Sequence, residues 1–177
     1  MTKMMLVCLA AVATAAVASA EEPRLEVVPS VDLERYLGTW YEIASYPAWF
    51  QRGCTAVTAE YSRRDDGLIR VVNSCNQGSL DGKLKHSTGR AKVVEGSANA
   101  KLKVSFFRPF WGDYWIIDLD PEYRWAVVGV PSRKFLWILS RSRSMDEALF
   151  QEITGQLQAK GYDKARLVRT LQPGAAQ

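Results

Sequence analysis

The sequence predicts an all-β fold: an eight-stranded antiparallel up-and-down β-barrel with one C-terminal α-helix packed on its outside. Three observations predict it. From Thr39 onward apolar residues recur with a period of two rather than 3.6, as half-buried strands require. The strand-like segments are joined by short turns, which favours an antiparallel meander, and a sheet of eight avoids bare edges by closing on itself. One stretch near the C-terminus switches to helical periodicity.

The elements follow in order along the chain. The first twenty residues carry Lys3, an apolar run from Met4 to Val17, and Ala18-Ser19-Ala20 ahead of Glu21-Glu22. These are the parts of a secretory signal, and the run is too short to span a bilayer, so residues 1–20 are expected to be removed. Residues 21–35, with Pro23 and Pro29, read as an extended N-terminal arm. Residues 36–171 read as barrel plus helix, and 172–177 as a tail. Trp40–Tyr46 is the first strand. Val57, Ala59 and Tyr61 then alternate with Thr58 and Glu60, Arg63–Gly67 is turn chemistry, and Ile69 and Val71 alternate with Arg70. The two faces match with Tyr61 opposite Ile69.

Ala91 and Val93 alternate with Arg90 and Lys92, and Glu95–Asn99 turns the chain. Leu102, Val104 and Phe106 alternate with Lys101, Lys103 and Ser105. Beyond Pro109–Gly112 come Tyr114–Leu119, a turn at Asp120-Pro121-Glu122, Arg124–Val130, a turn at Pro131-Ser132, and Phe135–Ser140. In Tyr114–Leu119 two faces compete for the interior: Tyr114, Ile116 and Asp118, or Trp115, Ile117 and Leu119. Ser144-Met145-Asp146-Glu147 has the form of a capping box. Leu149, Phe150, Ile153 and Leu157 give one apolar stripe, and Gly161 is placed to end it, so a helix is expected over about 145–160. Ala165–Thr170 is compatible with a ninth short strand.

Three cysteines are encoded. Cys8 lies inside the leader, near the start of the apolar run and after Val7 rather than a small residue, so no lipid anchor is expected. Cys54 and Cys75 form an even pair in an oxidising compartment, which predicts a disulfide worth about 3 kcal/mol by loop entropy. Two free buried thiols are the rival reading. With Tyr61 opposite Ile69 the cysteines meet only if the strand is bulged near Gly53.

The charge balance, 23 Lys+Arg against 19 Asp+Glu, is mildly basic. The basic residues are scattered and leave no nucleic-acid footprint. His86 is the only histidine and sits in a polar stretch, which removes His-based metal sites and Ser-His-Asp or Cys-His catalysis. No glycine-rich phosphate loop and no GxSxG occurs. Asp118 and Asp120 stand two apart like a carboxylate pair, but Asp120 is better used by a turn. No catalytic residue, cofactor or metal is therefore assigned, and the chain reads as a binding protein rather than an enzyme. Val57, Ala59, Tyr61, Ile69, Val71, Leu102, Val104 and Phe106 are the inward positions. They line a ligand lumen or fill a dry core, and the small residues Ala59, Ala91 and Gly129 argue for room inside.

Three stretches then resemble one family. Tyr36-Leu37-Gly38-Thr39-Trp40-Tyr41-Glu42-Ile43-Ala44 carries a Gly-x-Trp signature with long flanks. Leu119-Asp120-Pro121-Glu122-Tyr123-Arg124 stands at the turn between the sixth and seventh strands, and Trp137-Ile138-Leu139-Ser140-Arg141 closes the eighth. In this order and spacing they resemble the lipocalins, in particular the bacterial, apolipoprotein D-like branch, from about Val31 to Gly174. The resemblance implies that Gly38, Trp40, Asp120, Tyr123 and Arg141 meet at one closed pole, with the Arg141 guanidinium stacked on Trp40. The other pole is then a mouth carrying Tyr46, Trp49, Phe50, Phe110 and Trp111. Arg52, Arg108 and Arg133 stand there to meet an anionic head group, and the cysteine pair stiffens the rim.

The lining set implied by the resemblance is completed by Tyr114, Ile116, Trp125, Val127 and Trp137. The implied partner is a lipid, a fatty acid or lysophospholipid, held in the lumen for storage or transport in the bacterial envelope. Transient contact with a membrane surface and a monomeric or homodimeric state are also implied. Bacterial relatives are anchored to the outer membrane, whereas this chain is expected to be an unanchored periplasmic protein. The alternatives are a carrier of a rigid chromophore or retinoid-like ligand, a lipid-acting enzyme marked by an unpaired cysteine, and a filled structural barrel without ligand.

Overall fold

The computed structural model describes residues 24–174; the leader assigned to residues 1–20 lies outside them. The strands are β1 (Gly38–Ser45), β2 (Cys54–Arg63), β3 (Ile69–Gln77), β4 (Leu84–Val93), β5 (Lys101–Ser105), β6 (Gly112–Leu119), β7 (Trp125–Gly129), β8 (Leu136–Ser140) and β9 (Val168–Arg169), with helices α1 (Leu33–Tyr36) and α2 (Glu147–Gly155). Strands β1 to β8 run up and down in chain order. The barrel closes because β1 is shared: its first half pairs with β2, Gly38 opposite Tyr61 through Tyr41 opposite Thr58, and its second half pairs with β8.

The register of β2 on β3 differs from the sequence expectation by one same-face step. Tyr61 lies opposite Val71, and Ile69 opposite Arg63. Alternation constrains the face but not the slide of two residues that preserves it, so both registers satisfied the pattern. The bulge does occur, between Thr55 and Thr58, with Ala56 at φ 50°. Cys54 and Cys75 are disulfide-bonded across it, 5.4 Å apart between Cα atoms.

Period two sorts the wall into two apolar clusters. Trp40, Tyr61, Val71, Leu102, Ile116, Ala126, Val128 and Leu139 pack in the barrel interior. Ile43, Ile117, Val127 and Ile138 pack outward beneath Phe150, Ile153 and Leu157 of α2. Each fully buried side chain of that helical stripe contributes about 1.5–3 kcal/mol. The competition within β6 is resolved by a bulge between Ile116 and Asp118. Tyr114, Ile116 and then Leu119 join the interior cluster, while Ile117 faces α2.

Helix α2 is shorter than its stripe and starts later than the capping box suggests. Asp146, not Ser144, is the cap: its carboxylate accepts from the Ala148 and Leu149 N–H groups, at 2.9 and 3.2 Å. An ionised oxygen at the positive end of the helix is the stronger of the two acceptors. Glu147 pairs instead with Arg169 and accepts from Gln151. Residues 156–161 continue as turns to Gly161 at φ 79°. The N-terminal arm also ends earlier than expected, since Asp32 caps α1 through Glu34 N–H.

The segment after α2 seals the barrel. Where β2 bends away at its bulge, β9 takes its place beside Ala44 and Ser45 of β1. Thr170 N–H donates to the Ile43 carbonyl and Ala56 N–H to the Leu171 carbonyl. Gln172, assigned to the tail by sequence, is buried here. Its amide nitrogen donates to the Glu42 carbonyl on β1 and the Val57 carbonyl on β2, each at 2.9 Å. One side chain thus spans the seam that the strands leave open.

Candidate functional site

The closed pole is cross-linked from three parts of the chain. Arg141 lies 3.8 Å over the Trp40 ring and donates to the carbonyls of Thr39, Leu37 and Arg35 at 2.8, 2.9 and 2.6 Å. Trp40 is fully buried, and its indole N–H donates to the Tyr36 carbonyl. Asp120 accepts from the backbone N–H and the guanidinium of Arg124, and those bonds hold its carboxyl below the usual range. The same turn puts Tyr123 at φ 59°, where its hydroxyl accepts from Asp32 N–H and its ring lies under Arg35. Gly38, at φ 89°, brings the start of β1 under the Arg141 guanidinium. These bonds make this pole the floor of the barrel.

Above the floor three phenols meet. Tyr61 donates to the Tyr114 hydroxyl at 2.8 Å, and the Tyr36 and Tyr114 hydroxyls are also 2.8 Å apart. Burial pushes Tyr61 up to about 12, and raises Tyr36 and Tyr114 well above 10. The trio is neutral at any ordinary pH, so it offers hydroxyls but no charge. Ile69, Val71, Leu102 and Ile116 surround it and are buried. Among the interior positions Ala59, Val104, Phe106 and Trp137 remain partly accessible, as do Val93, Tyr114 and Leu119, although all pack against the interior cluster. Val57 is buried, with its carbonyl spent on Gln172.

Two expected lining residues point the other way. Trp125 and Val127 pack in the outer cluster beneath α2, because Ala126 and Val128 are the interior residues of β7. Gly129 also serves the outside: a Cβ there would stand 2.2 Å from the Tyr162 hydroxyl, which exchanges hydrogen bonds with Val130. It makes room for a tyrosine outside the barrel, not for a ligand within.

At the mouth Trp49 is 79% exposed, Phe50 51% and Phe110 74%, joined by Phe107 at 75%. Tyr46 does not belong with them. It is buried against Tyr162, and its hydroxyl donates to the Asp163 carbonyl. Trp111 lies on the outer wall between the Arg90 and Lys92 cations. Arg133 donates to the Lys160 carbonyl, tying the rim to the segment after α2, whereas Arg52 and Arg108 are exposed.

Sequence reasoning missed the residues that hold the rim down. The 3-10 turn Trp49–Gln51 reaches into the barrel through Gln51. Its amide donates to Glu42 Oε2 at 2.7 Å and accepts from the Trp137 indole N–H at 3.0 Å. Glu42 is buried and also accepts from Ser45 and Thr170. Phe50, Phe135 and Trp137 continue the contact as a run of rings, 5.6 and 5.8 Å between centroids. A carboxylate inside an apolar strand is the one signal that could have drawn attention to Glu42.

Comparison with known proteins agrees with this architecture. A family model for the lipocalin-like domain matches residues 31–172. The chain is 43% identical to the outer membrane lipoprotein Blc of Escherichia coli (strain K12), over 97% of this chain and 100% of that protein. It is 38% identical to temperature-induced lipocalin-1 of Arabidopsis thaliana, covering 86% and 85% of the two chains. Insecticyanin from the tobacco hornworm Manduca sexta shares the fold, with a TM-score of 0.67 at 18% identity over 88% and 91% of the chains.

The expectation of an unanchored protein is overturned by this comparison. A relative matched along its entire length is by name an outer membrane lipoprotein. The sequence argument rested only on the placing of Cys8, which lies outside the described residues. Among the described residues no group of three or more metal-ligating side chains converges. Matched from Val31 to Gln172 and closed by its three motifs at one pole, the chain belongs to the lipocalin family.

Proposed function

We propose that the protein binds the acyl chain of a fatty acid or lysophospholipid in its lumen and carries or stores it at the outer membrane of the bacterial envelope, without catalysis. The observation that supports this most is that part of the interior face stays accessible. Val104, Phe106 and Trp137 toward the mouth, and Ala59, Val93, Tyr114 and Leu119 deeper in, are partly accessible, whereas Tyr61, Ile69, Val71, Leu102 and Ile116 are buried. Apolar residues that face inward yet stay accessible line empty apolar space, which suits a hydrocarbon chain. Each buried methylene is worth about 0.8 kcal/mol, so a dozen would support roughly micromolar binding after association costs. The floor phenols set the depth to which the chain reaches.

The exposed Trp49, Phe50, Phe107 and Phe110 suit brief contact with a membrane surface, where aromatic rings settle at the headgroup level. The bacterial relative's name places it at that membrane. A titration of tryptophan emission with a lysophospholipid tests the reading, with Trp137→Phe as the control. Saturable quenching that is reduced in the variant is the expected result. Equal quenching in both would place the ligand elsewhere, and no quenching in the folded protein would end the proposal.

A further inference from the structure

The wall of the barrel has a gap beside the end of β5. β4 pairs with β3 from Leu84 to Ala91, but with β5 only over Arg90–Val93. Residues 84–89 thus lack a partner strand on that side, and 84–88 are exposed. After Ser105 the chain leaves the wall through Phe106, Phe107 and Arg108. A cleft of about 220 Å³ opens there, lined by Arg64, Thr88, Gly89, Arg90, Ser105, Phe106 and Arg108.

Its chemistry is one-sided. Three guanidinium groups border it and no carboxylate lines it; that of Arg64 is paired with Asp66 at 2.7 Å, which leaves Arg90 and Arg108 to face a ligand. Arg90 rests on the Trp111 ring, which leaves its donors available for a ligand. Arg108 makes no ion pair among the described residues. Planar guanidinium forks match the paired oxygens of a carboxylate or phosphate, and the Thr88 and Ser105 hydroxyls add donors. The volume falls below the roughly 300–1,000 Å³ of sites that hold whole ligands, and is suited to a head group alone.

The cleft is separated from the lumen by one ring. Phe106 lines it and also packs against the interior cluster. A Cβ on Gly89 would stand 2.7 Å from the Phe106 ring, so the wall is bare backbone where the ring lies on it. Rotation of Phe106 about χ1 is the movement that joining the cleft to the interior would require.

We propose that this cleft is a side portal: it takes the anionic head group, carboxylate or phosphate, of an acidic amphiphile whose chain passes Phe106 into the lumen. The inference rests on the lumen holding an acyl chain. Binding of oleate, of oleyl alcohol and of inorganic phosphate to the full chain tests it, with Arg108→Gln and Arg90→Gln/Arg108→Gln as variants and the thermal midpoint as a check on folding. The wild type is expected to prefer oleate over the alcohol by about tenfold or more, the scale of one charged hydrogen bond. The double variant is expected to reduce that preference to about twofold with alcohol binding kept, and phosphate to weaken oleate alone. Arg108→Gln, at an exposed residue, gives the same direction if the double variant does not fold.

Persistence of the full preference in the folded variants would overturn the portal while leaving the carrier standing. Phosphate that binds without affecting oleate would make the cleft a site for free anions, against the proposal. A wild type that binds neither oleate nor the alcohol would remove the carrier reading, and the portal with it.

Discussion

The two poles of the barrel are built on opposite rules. At the floor, distant parts of the chain are tied by directional bonds: Arg141 to three carbonyls, Tyr123 to Asp32, Trp40 to Tyr36. At the mouth Trp49, Phe50, Phe107 and Phe110 face solvent, and β4 runs on beyond β5 with a partner on one side only. What holds the mouth is the Cys54–Cys75 bond, the Gln51 latch and the strap through Gln172. The difference teaches where this molecule can vary. Groups that bond to backbone across the floor are fixed by geometry, while those at the mouth are free to be chosen for what they touch outside.

Perturbations should therefore differ in kind between the poles. The largest effect is expected for Trp40→Ala, which removes a fully buried indole and the surface on which Arg141 rests. A loss of about 3–5 kcal/mol is predicted by denaturant unfolding. A loss under 1 kcal/mol would show that the floor is not the anchor described.

Alkaline pH should attack the layer just above the floor. Tyr61 is raised to about 12 when folded, against an ordinary 10 when unfolded. Its neutral form is the one the fold favours, so that stability is fully present below pH 10 and is lost as pH rises from 10 through 12. Tyr61→Phe should flatten the fall in this window, followed by phenolate absorbance against unfolding. An identical alkaline profile in the variant would refute the assignment.

A smaller effect is expected at the seam. Gln172→Ala leaves the Glu42 and Val57 carbonyls without their shared donor and should cost about 1–3 kcal/mol. Faster amide exchange confined to the mouthward halves of β1 and β2 is the accompanying signature, and uniform change across the barrel would contradict a local latch. The smallest is expected at the rim, where Trp49→Ser with Phe110→Ser should move stability by less than about 0.5 kcal/mol. The same pair should weaken binding to phospholipid vesicles, and an unaltered partition would detach these rings from any membrane role.

Legibility in the sequence followed the same division. The floor was readable because its parts are local motifs: Gly38-Thr39-Trp40, the turn from Asp120 to Arg124, and Arg141 at a strand end. Period two also identified the strands and most of the interior face. It failed where an irregular step changes the parity, as at the β6 bulge, or where both faces are apolar. The resemblance set Trp125 and Val127 inside, and period two could not correct it, because α2 covers β7 from outside and both of its faces are buried. Tyr46 likewise reads as a mouth aromatic until Tyr162, over a hundred positions away, is seen packed upon it. Gln51 and Gln172 were invisible because their meaning lies in long-range partners that no window contains, and Glu42 showed only as a carboxylate in an apolar strand.

The proposed function requires that the barrel interior hold one acyl chain. Native mass spectrometry of the protein purified from the envelope, followed by lipid extraction, tests it most directly. One lipid per chain, released on unfolding and identified as a fatty acid or lysophospholipid, is the predicted result. A folded protein with no bound mass, and none after incubation with either lipid, would contradict it and leave a packed structural barrel.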